Sequence, residues 1–187
     1  MPRRLLFLSG FFLFLSGAAL ADLVNENLLV GVPSGYKIDH NAKSAKGVIT
    51  EMVPQAQSVN DWTEMVTVQV FLGLKQPPAV FKNNIAQLWK KACSDSAARD
   101  VWQGKENGYA AELFLLACPS NPQTGKPEIT WFKAIQGDDS FYVVQKASKF
   151  MPANEQITPW MDYLNKVSAC DSRRADRPCP KVSPPAR

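Results

Sequence analysis

Two segments of the chain place apolar residues at the three-to-four-residue spacing of an amphipathic helix. The first follows Pro77-Pro78, and its apolar stripe consists of Phe81, Ile85, Leu88, Trp89 and Ala92. The second runs to Cys170, and its apolar face consists of Ile157, Trp160, Met161, Leu164 and Val167. Prolines fit the start of a helix, so Pro77-Pro78 and Thr158-Pro159 are predicted to mark the two N-termini.

Other segments alternate apolar and polar residues, which is typical of half-buried strands. The predicted strands are Leu28–Val32, Val48–Val53, Val66–Val70, Asp100–Gln103, Tyr109–Cys118, Glu128–Gln136 and Phe141–Ser148. Short turns between consecutive strands favour antiparallel pairing. The order β-β-β-α-β-β-β-β-α predicts an α+β fold, in which two amphipathic helices cover an antiparallel sheet of about six to seven strands.

The opening pattern Leu28-Leu29-Val30-Gly31-Val32-Pro33-Ser34-Gly35-Tyr36, together with this order, resembles the PsbP-like and Ran-binding Mog fold group. In that group helices sandwich an antiparallel sheet, and the first strand ends in a Pro-x-Gly-aromatic turn. The resemblance covers most of Leu28–Cys170 and implies an accessory or partner-binding role rather than catalysis. It carries over no functional residue.

The first 21 residues are typical of a cleaved export signal. Arg3 and Arg4 precede an apolar stretch, Leu5–Gly17, and Ala19-Leu20-Ala21 supplies a small-x-small cleavage site. The alternative is a membrane anchor, but the stretch is shorter than the roughly 20 apolar residues that a spanning helix needs. We therefore expect cleavage after Ala21, a periplasmic or secreted protein, and no stable membrane anchor. The mature chain would comprise a single α+β domain over residues 22–170, and a basic loop with a disordered tail over residues 171–187.

The overall charge is modest once the signal is removed. The full chain of 187 residues has 21 Lys+Arg against 17 Asp+Glu, and loss of the two signal arginines leaves 19 against 17, a net charge of +2. A charge this small does not predict binding to nucleic acid.

The chain has four cysteines, and all follow the signal: Cys93, Cys118, Cys170 and Cys179. An even number in an oxidising compartment favours disulfides, and four cysteines allow three pairings. Cys170 and Cys179 lie close in sequence across a polar, turn-rich stretch, which leaves Cys93 to pair with Cys118. A metal site is not expected, because no pair has CxxC spacing and the single histidine is far away in sequence.

Motifs for catalysis or cofactor binding are weak. His40 is the single candidate base, and it falls in a segment, residues 40–44, that is predicted as a surface loop. Thr124-Gly125-Lys126 lacks the spacing of a phosphate loop, so no cofactor is expected. Three acids on or near predicted strands leave a carboxylate mechanism open, namely Glu51, Glu64 and Glu112.

Two features suggest binding. Arg173, Arg174 and Arg177 form the densest positive cluster and predict a contact with an anionic ligand or another envelope protein. Trp62, in polar surroundings before a strand, is a second candidate contact. The sequence therefore favours a non-catalytic, exported binding or accessory protein. The alternatives are an inhibitor or immunity-type protein, or a small envelope enzyme that uses carboxylate acid/base residues.

Overall fold

The computed structural model describes residues 23–181 of the chain. The predicted signal over residues 1–21 and the segment after Lys181 lie outside the described residues. The described elements, in chain order, are β1 (Glu26–Leu29), β2 (Tyr36–Ser44), β3 (Gly47–Pro54), β4 (Glu64–Leu72), α1 (Pro78–Ala92), β5 (Ala97–Glu106), β6 (Tyr109–Cys118), β7 (Glu128–Gln136), β8 (Ser140–Ser148), α2 (Asn154–Lys166) and β9 (Ser168–Asp171).

Seven of these strands form one antiparallel sheet in the order β2-β3-β4-β8-β7-β6-β5. The remaining two, β1 and β9, pair antiparallel as a separate ribbon, which joins the two ends of the described chain. The predicted α+β class, with two helices and an antiparallel sheet, is confirmed.

Alternate side chains of each strand point to opposite faces of the sheet. Each helix packs on one of these two sets, so the helices cover opposite faces. The smaller core lies under α1, where Phe81 and Trp89 pack on Phe114, Phe132 and their neighbours. The larger core lies under α2 and includes Leu164, Val167 and Ala169. Its buried members on the main sheet are Met52, Val66, Val68, Tyr109, Ala111, Leu113, Ile129, Trp131, Ile135, Tyr142 and Val144. Two cores on one sheet explain why β7 is buried along both of its faces.

Residues 40–44, predicted as a loop, belong instead to the edge strand β2. Most of β2 is exposed on both faces, so its sequence lacks the apolar alternation by which a strand is recognised. The first predicted strand is also displaced, because the chain pairs over Glu26–Leu29 with β9 rather than joining the main sheet.

The second helix differs from its prediction at both ends. It begins at Asn154, four residues before Thr158, and Pro159 lies inside it. The carbonyl that loses its amide donor to this proline belongs to Glu155, which is exposed and open to hydration. The helix ends at Lys166, after which Val167 is extended and β9 begins.

Both predicted disulfides are confirmed. The helix–strand disulfide joins Cys93, at the end of α1, to Cys118, at the end of β6, with Cα atoms 6.1 Å apart. The loop disulfide joins Cys170 in β9 to Cys179, with Cα atoms 4.9 Å apart. No free cysteine is found in the described part of the chain.

Two lysines are buried beneath α2, each paired with a partly exposed glutamate. Lys146 is 0% exposed, its Nζ lies 2.9 Å from Glu64 Oε1, and the same ammonium lies 4.4 Å from the Trp160 ring centroid. Lys133 Nζ lies 2.7 Å from Glu106 Oε2. Burial lowers the pKa of both lysines, and the paired glutamates oppose that effect.

Candidate functional site

The loop that follows β9 folds back onto the end of the sheet where β7 turns into β8. We call this region the charged end and define it by its eight ionisable residues: Glu26, Asp138, Asp139, Asp171, Arg173, Arg174, Asp176 and Arg177. The loop disulfide closes the loop at its base, while the β7–β8 turn and the β5–β6 turn provide the surface on which it rests.

The carboxylate of Glu26 anchors β1 to the β7–β8 turn. It accepts hydrogen bonds from the backbone N–H groups of Asp138, Asp139 (3.0 Å) and Ser140 (3.1 Å), and from the hydroxyl of Tyr142 (2.8 Å). A side chain at Gly137 would collide with this carboxylate, so the close approach of Glu26 to the turn depends on glycine there. Burial, followed by the hydrogen bond to Glu26, raises the pKa of Tyr142.

Arg173 is held by two aspartates. Its guanidinium donates to both carboxylate oxygens of Asp171, with Nη2 2.6 Å from Oδ2 and Nε 2.8 Å from Oδ1, and Nη2 also lies 2.7 Å from Asp139 Oδ2. The guanidinium lowers the pKa of Asp171 to about 2. This paired arrangement fixes the start of the loop against the turn.

Arg177 joins the loop to the β5–β6 hairpin. Its guanidinium carbon lies 4.1 Å from the centre of the Tyr109 ring, and its Nη1 donates to Asp138 Oδ2 at 3.0 Å. Tyr109 is 2% exposed, which makes this a largely desolvated cation–π contact. Gly108, with φ of 82°, lies directly beneath the guanidinium, and a side chain there would meet Arg177 Nε.

Arg174 is the most loosely attached of the three arginines. It forms a bidentate pair with Asp176, both bonds being 3.0 Å, and lies 3.7 Å from Asp138. Its side chain is 45% exposed and that of Asp176 is 60% exposed. The pair therefore faces solvent, where its ionic attraction is screened.

The charged end carries three positive and five negative groups, a net formal charge of −2 over the eight residues that define it. The sequence predicted a basic surface because it showed the three arginines without their partners. A small anion at this loop would have to compete with a carboxylate at every guanidinium. That the loop contacts a ligand or partner stays a prediction.

The acids of this cluster approach a metal-binding arrangement, since carboxylate oxygens of Glu26, Asp138 and Asp171 lie within 4.8 Å of one another. Their oxygens, however, already accept hydrogen bonds from backbone amides, from Tyr142 and from guanidinium groups. These three carboxylates therefore serve as hydrogen-bond acceptors within a network of ion pairs.

Trp62 lies at the other end of the sheet. It precedes β4, whose first residue pairs with the last residue of β8, whereas the charged end meets the first residue of β8. Eight residues of strand separate the two ends, or about 26 Å. The Trp62 ring is half-buried and has Lys149 Nζ 3.9 Å from its centre, so the structure does not bring Trp62 and the arginines together.

The three candidate carboxylates are also apart. Glu64 lies on the α2 face beside Lys146, whereas Glu51 and Glu112 lie on the opposite face, four strands from each other, or about 19 Å. Glu112 is buried, and its Oε2 lies 3.4 Å from Lys82 Nζ. His40 lies opposite Glu51 on the edge strand β2. No two of these three acids form the close pair that a carboxylate mechanism needs.

The sequence interpretation missed the acids that pair with the arginines. Asp138 and Asp139 lie in the β7–β8 turn, and the loop they contact is more than 30 residues away in sequence. Glu26 reaches the same turn from more than 110 residues away. No local pattern identifies contacts over such separations.

Among residues 23–181, we find no helix that is both long and apolar enough to cross a membrane. No protein-family model matches the chain, and no curated protein matches it either. Among solved structures, the chain is similar to the crystal structure of LpqN, a protein involved in cell envelope biogenesis in Mycobacterium tuberculosis. That similarity has 14% sequence identity and a TM-score of 0.45, and it covers 80% of this chain and 86% of LpqN. The resemblance to the PsbP-like group stays a prediction.

Proposed function

We propose that this chain is an exported, non-catalytic accessory protein that binds another extracytoplasmic protein, with the charged end as its contact. The observation that carries the proposal is the pair of disulfides, which involves every cysteine of the chain. Structural disulfides persist in oxidising compartments and are rare in the cytosol. The export-signal pattern at the N-terminus supports the same compartment.

A protein partner suits the charged end better than a small anion does. Both signs of charge are half-exposed there, with Arg174 at 45% and Asp138 at 47%. A protein surface can present acids and bases in a matching pattern, whereas a small anion offers charge of one sign. The loop is also fixed in place before binding, because the loop disulfide and Arg177 hold it, and a fixed loop loses less conformational entropy on association. An inhibitor or immunity-type protein would work in this way.

The compartment is tested by blocking thiols in intact cells and measuring the mass of the recovered protein without reduction. Export predicts that all four cysteines are protected in a chain that begins at Asp22. Alkylation of four thiols in a chain that retains residues 1–21 would refute export.

The contact is tested with a photo-crosslinking amino acid at position 174, on the exposed side of the loop, and at position 43, in the edge strand β2. We expect a crosslinked extracytoplasmic protein from position 174 and none from position 43. Arg174→Glu should weaken capture, and Lys43→Glu, which makes the same charge change elsewhere, should not. If Arg174→Glu leaves capture unchanged, the charged end is not the contact, and the region around Trp62 is the next to test.

A further inference from the structure

We propose that the edge strand β5 pairs with β5 of a second copy of this chain, so that two seven-stranded sheets join into one continuous sheet around a two-fold axis through Gln103. This inference concerns self-association and does not depend on the identity of any partner at the charged end.

The β5 edge of the sheet is open. β5 is the last strand of the sheet, and nine of its ten residues are exposed. It contains no proline, and two of its large apolar side chains are exposed, Val101 at 45% and Trp102 at 42%. A long edge strand with exposed apolar residues presents free backbone N–H and C=O groups to another strand.

The pairing of β5 with β6 fixes the face of the sheet on which each β5 side chain lies. A bulge at Val101 separates the two halves of the strand. Residues that lie opposite the α2-face side chains of β6 are Arg99, Trp102, Gly104 and Glu106. Residues that lie opposite the α1-face side chains of β6 are Asp100, Gln103 and Lys105.

The charges along β5 are self-complementary when two copies pair antiparallel. With Val101 set aside as the bulge residue, a two-fold axis through Gln103 places Arg99 opposite Glu106 of the second copy, and Asp100 opposite Lys105 of the second copy. Each pair lies on a single face of the joined sheet, as antiparallel pairing requires. The axis repeats both contacts, so four oppositely charged pairs form and no like charges face each other.

The same register matches Trp102 with Gly104 of the second copy. Within one chain the Trp102 ring already lies over Gly104, where a side chain would collide with it. A glycine opposite an aromatic residue leaves its backbone uncovered, and the aromatic side chain can cover it across the strand pair. Pairing would therefore bury an indole that is now partly exposed.

The charges within one protomer leave room for these contacts. Arg99 and Lys105 form no ion pair with any residue between 23 and 181. Asp100 is 78% exposed and contacts Lys82 through Oδ1 alone, while Glu106 contacts Lys133 through Oε2 alone. Both acids thus keep one oxygen for a second cation.

The other edge of the sheet, β2, does not offer the same match. Asp39 accepts the backbone N–H of Val59 at 2.8 Å and lies 3.2 Å from Lys37, so its charge is used within the protomer. Lys43 and Lys46 place like charges at the end of its hairpin. Because both oxygens of Asp39, the one acid of β2, are already occupied, these lysines would face no opposite charge, and unmatched lysines oppose the pairing of two edges.

The test is sedimentation equilibrium of the oxidised protein over a series of concentrations, with melting curves to show that each variant folds. We expect a reversible monomer–dimer equilibrium. Lys105→Asp and Asp100→Lys each place like charges opposite one another twice, and each should raise the dimer dissociation constant by about tenfold or more. The double variant, in which the charges are exchanged, should restore dimerisation.

Lys43→Asp is the matched control, since it makes the same charge change as Lys105→Asp on the other edge strand, and it should dimerise like the unmodified protein. Hydrogen exchange of residues 99–106 should slow as the protein concentration rises. A protein that stays monomeric at its highest soluble concentration overturns the proposal. So does a dimer that Lys105→Asp leaves intact, or one that Lys43→Asp weakens instead.

Discussion

The buried pair of Lys146 and Glu64 leads to an asymmetric prediction, in which Glu64→Gln destabilises the protein more than Lys146→Met does. Lys146 is fully buried, and its ammonium donates to Glu64 at 2.9 Å, to the carbonyl of Ala147 at 3.1 Å and to the hydroxyl of Ser148 at 3.2 Å. The side-chain amide introduced by Glu64→Gln would keep a hydrogen-bond acceptor but remove the negative charge. The ammonium would then remain buried without a counter-ion.

The magnitude follows from burial. Removing one partner of a fully buried ion pair costs about 3–5 kcal/mol. The Glu64 side chain is 25% exposed, so water replaces part of the lost interaction, and we expect about 2–3 kcal/mol for Glu64→Gln. A domain of this size loses about 2–4 °C in Tm per kcal/mol, which gives a decrease of about 4–12 °C. Lys146→Met removes the fully buried charge and keeps a similar volume. The Glu64 carboxylate it leaves unpaired is 25% exposed and can be hydrated, so this variant should cost less than Glu64→Gln, about 1–2 kcal/mol.

Urea unfolding of the two single variants and the double variant measures these free energies. The double variant should unfold near the stability of Lys146→Met, because no charge is then left buried. Lys146→Met could instead prove as destabilising as Glu64→Gln. In that case the ammonium's contact with Trp160 and its bonds to the backbone, not its pairing with Glu64, would carry the stability, and the asymmetry expected from an unpaired buried charge would be refuted.

Further predictions concern the disulfides, the loop and pH. Loss of the helix–strand disulfide should destabilise the protein more than loss of the loop disulfide, because it closes the longer loop: loop length gives roughly 3.5 kcal/mol for the first and 2.7 kcal/mol for the second. Thermal unfolding of Cys93→Ser/Cys118→Ser and of Cys170→Ser/Cys179→Ser measures the difference. Arg177→Ser should lower the Tm because it uncovers the buried Tyr109 ring, whereas Arg174→Ser should leave the Tm unchanged because the Arg174 side chain is half-exposed. Equal changes in Tm would contradict the packing of Arg177 on Tyr109. The pKa of Asp171 is about 2 in the folded state against an ordinary 3.8, so its stabilising contribution is present above pH 3.8 and is lost as pH falls toward 2. Burial raises the pKa of Tyr163 from 10.0 to about 12, so its contribution to the free energy of unfolding is complete below pH 10 and is lost as pH rises through 12. Unfolding free energies measured across acid and alkaline pH test the predictions for Asp171 and Tyr163.

Periodicity in the sequence predicted the elements that bury one face. The helix α1 begins at a proline as expected, and Phe81, Ile85 and Trp89 of its predicted stripe pack against the sheet. Leu88, a fourth member of that stripe, is instead 57% exposed. The end of α2 could not be found in this way. Val167 continues the apolar stripe and is 2% exposed, so the pattern runs past the last helical residue into an extended segment. The edge strand β2 was missed for the opposite reason, since neither of its faces is consistently apolar.

The candidate site was predictable only in part. The cysteine spacing and the arginine count were visible in the sequence, and the disulfide that closes the loop formed as predicted. The charge that the loop presents was not visible, because Asp138 and Asp139 come from a turn that is distant in sequence. Electrostatic surfaces assembled from separate turns depend on tertiary structure, which local patterns do not encode.

The β1–β9 ribbon has a consequence for the order in which the molecule folds. It pairs Leu29 with Ser168 and Glu26 with Asp171, contacts that span nearly the whole described chain. Contacts of such high sequence separation close the largest loops and are slow to form. A chain that ends before Ser168 leaves β1 without its partner strand, even though all seven strands of the main sheet are complete. Energy transfer between fluorophores near Val24 and Ser172 would therefore report when this ribbon closes, since it requires both ends of the described chain to be in place.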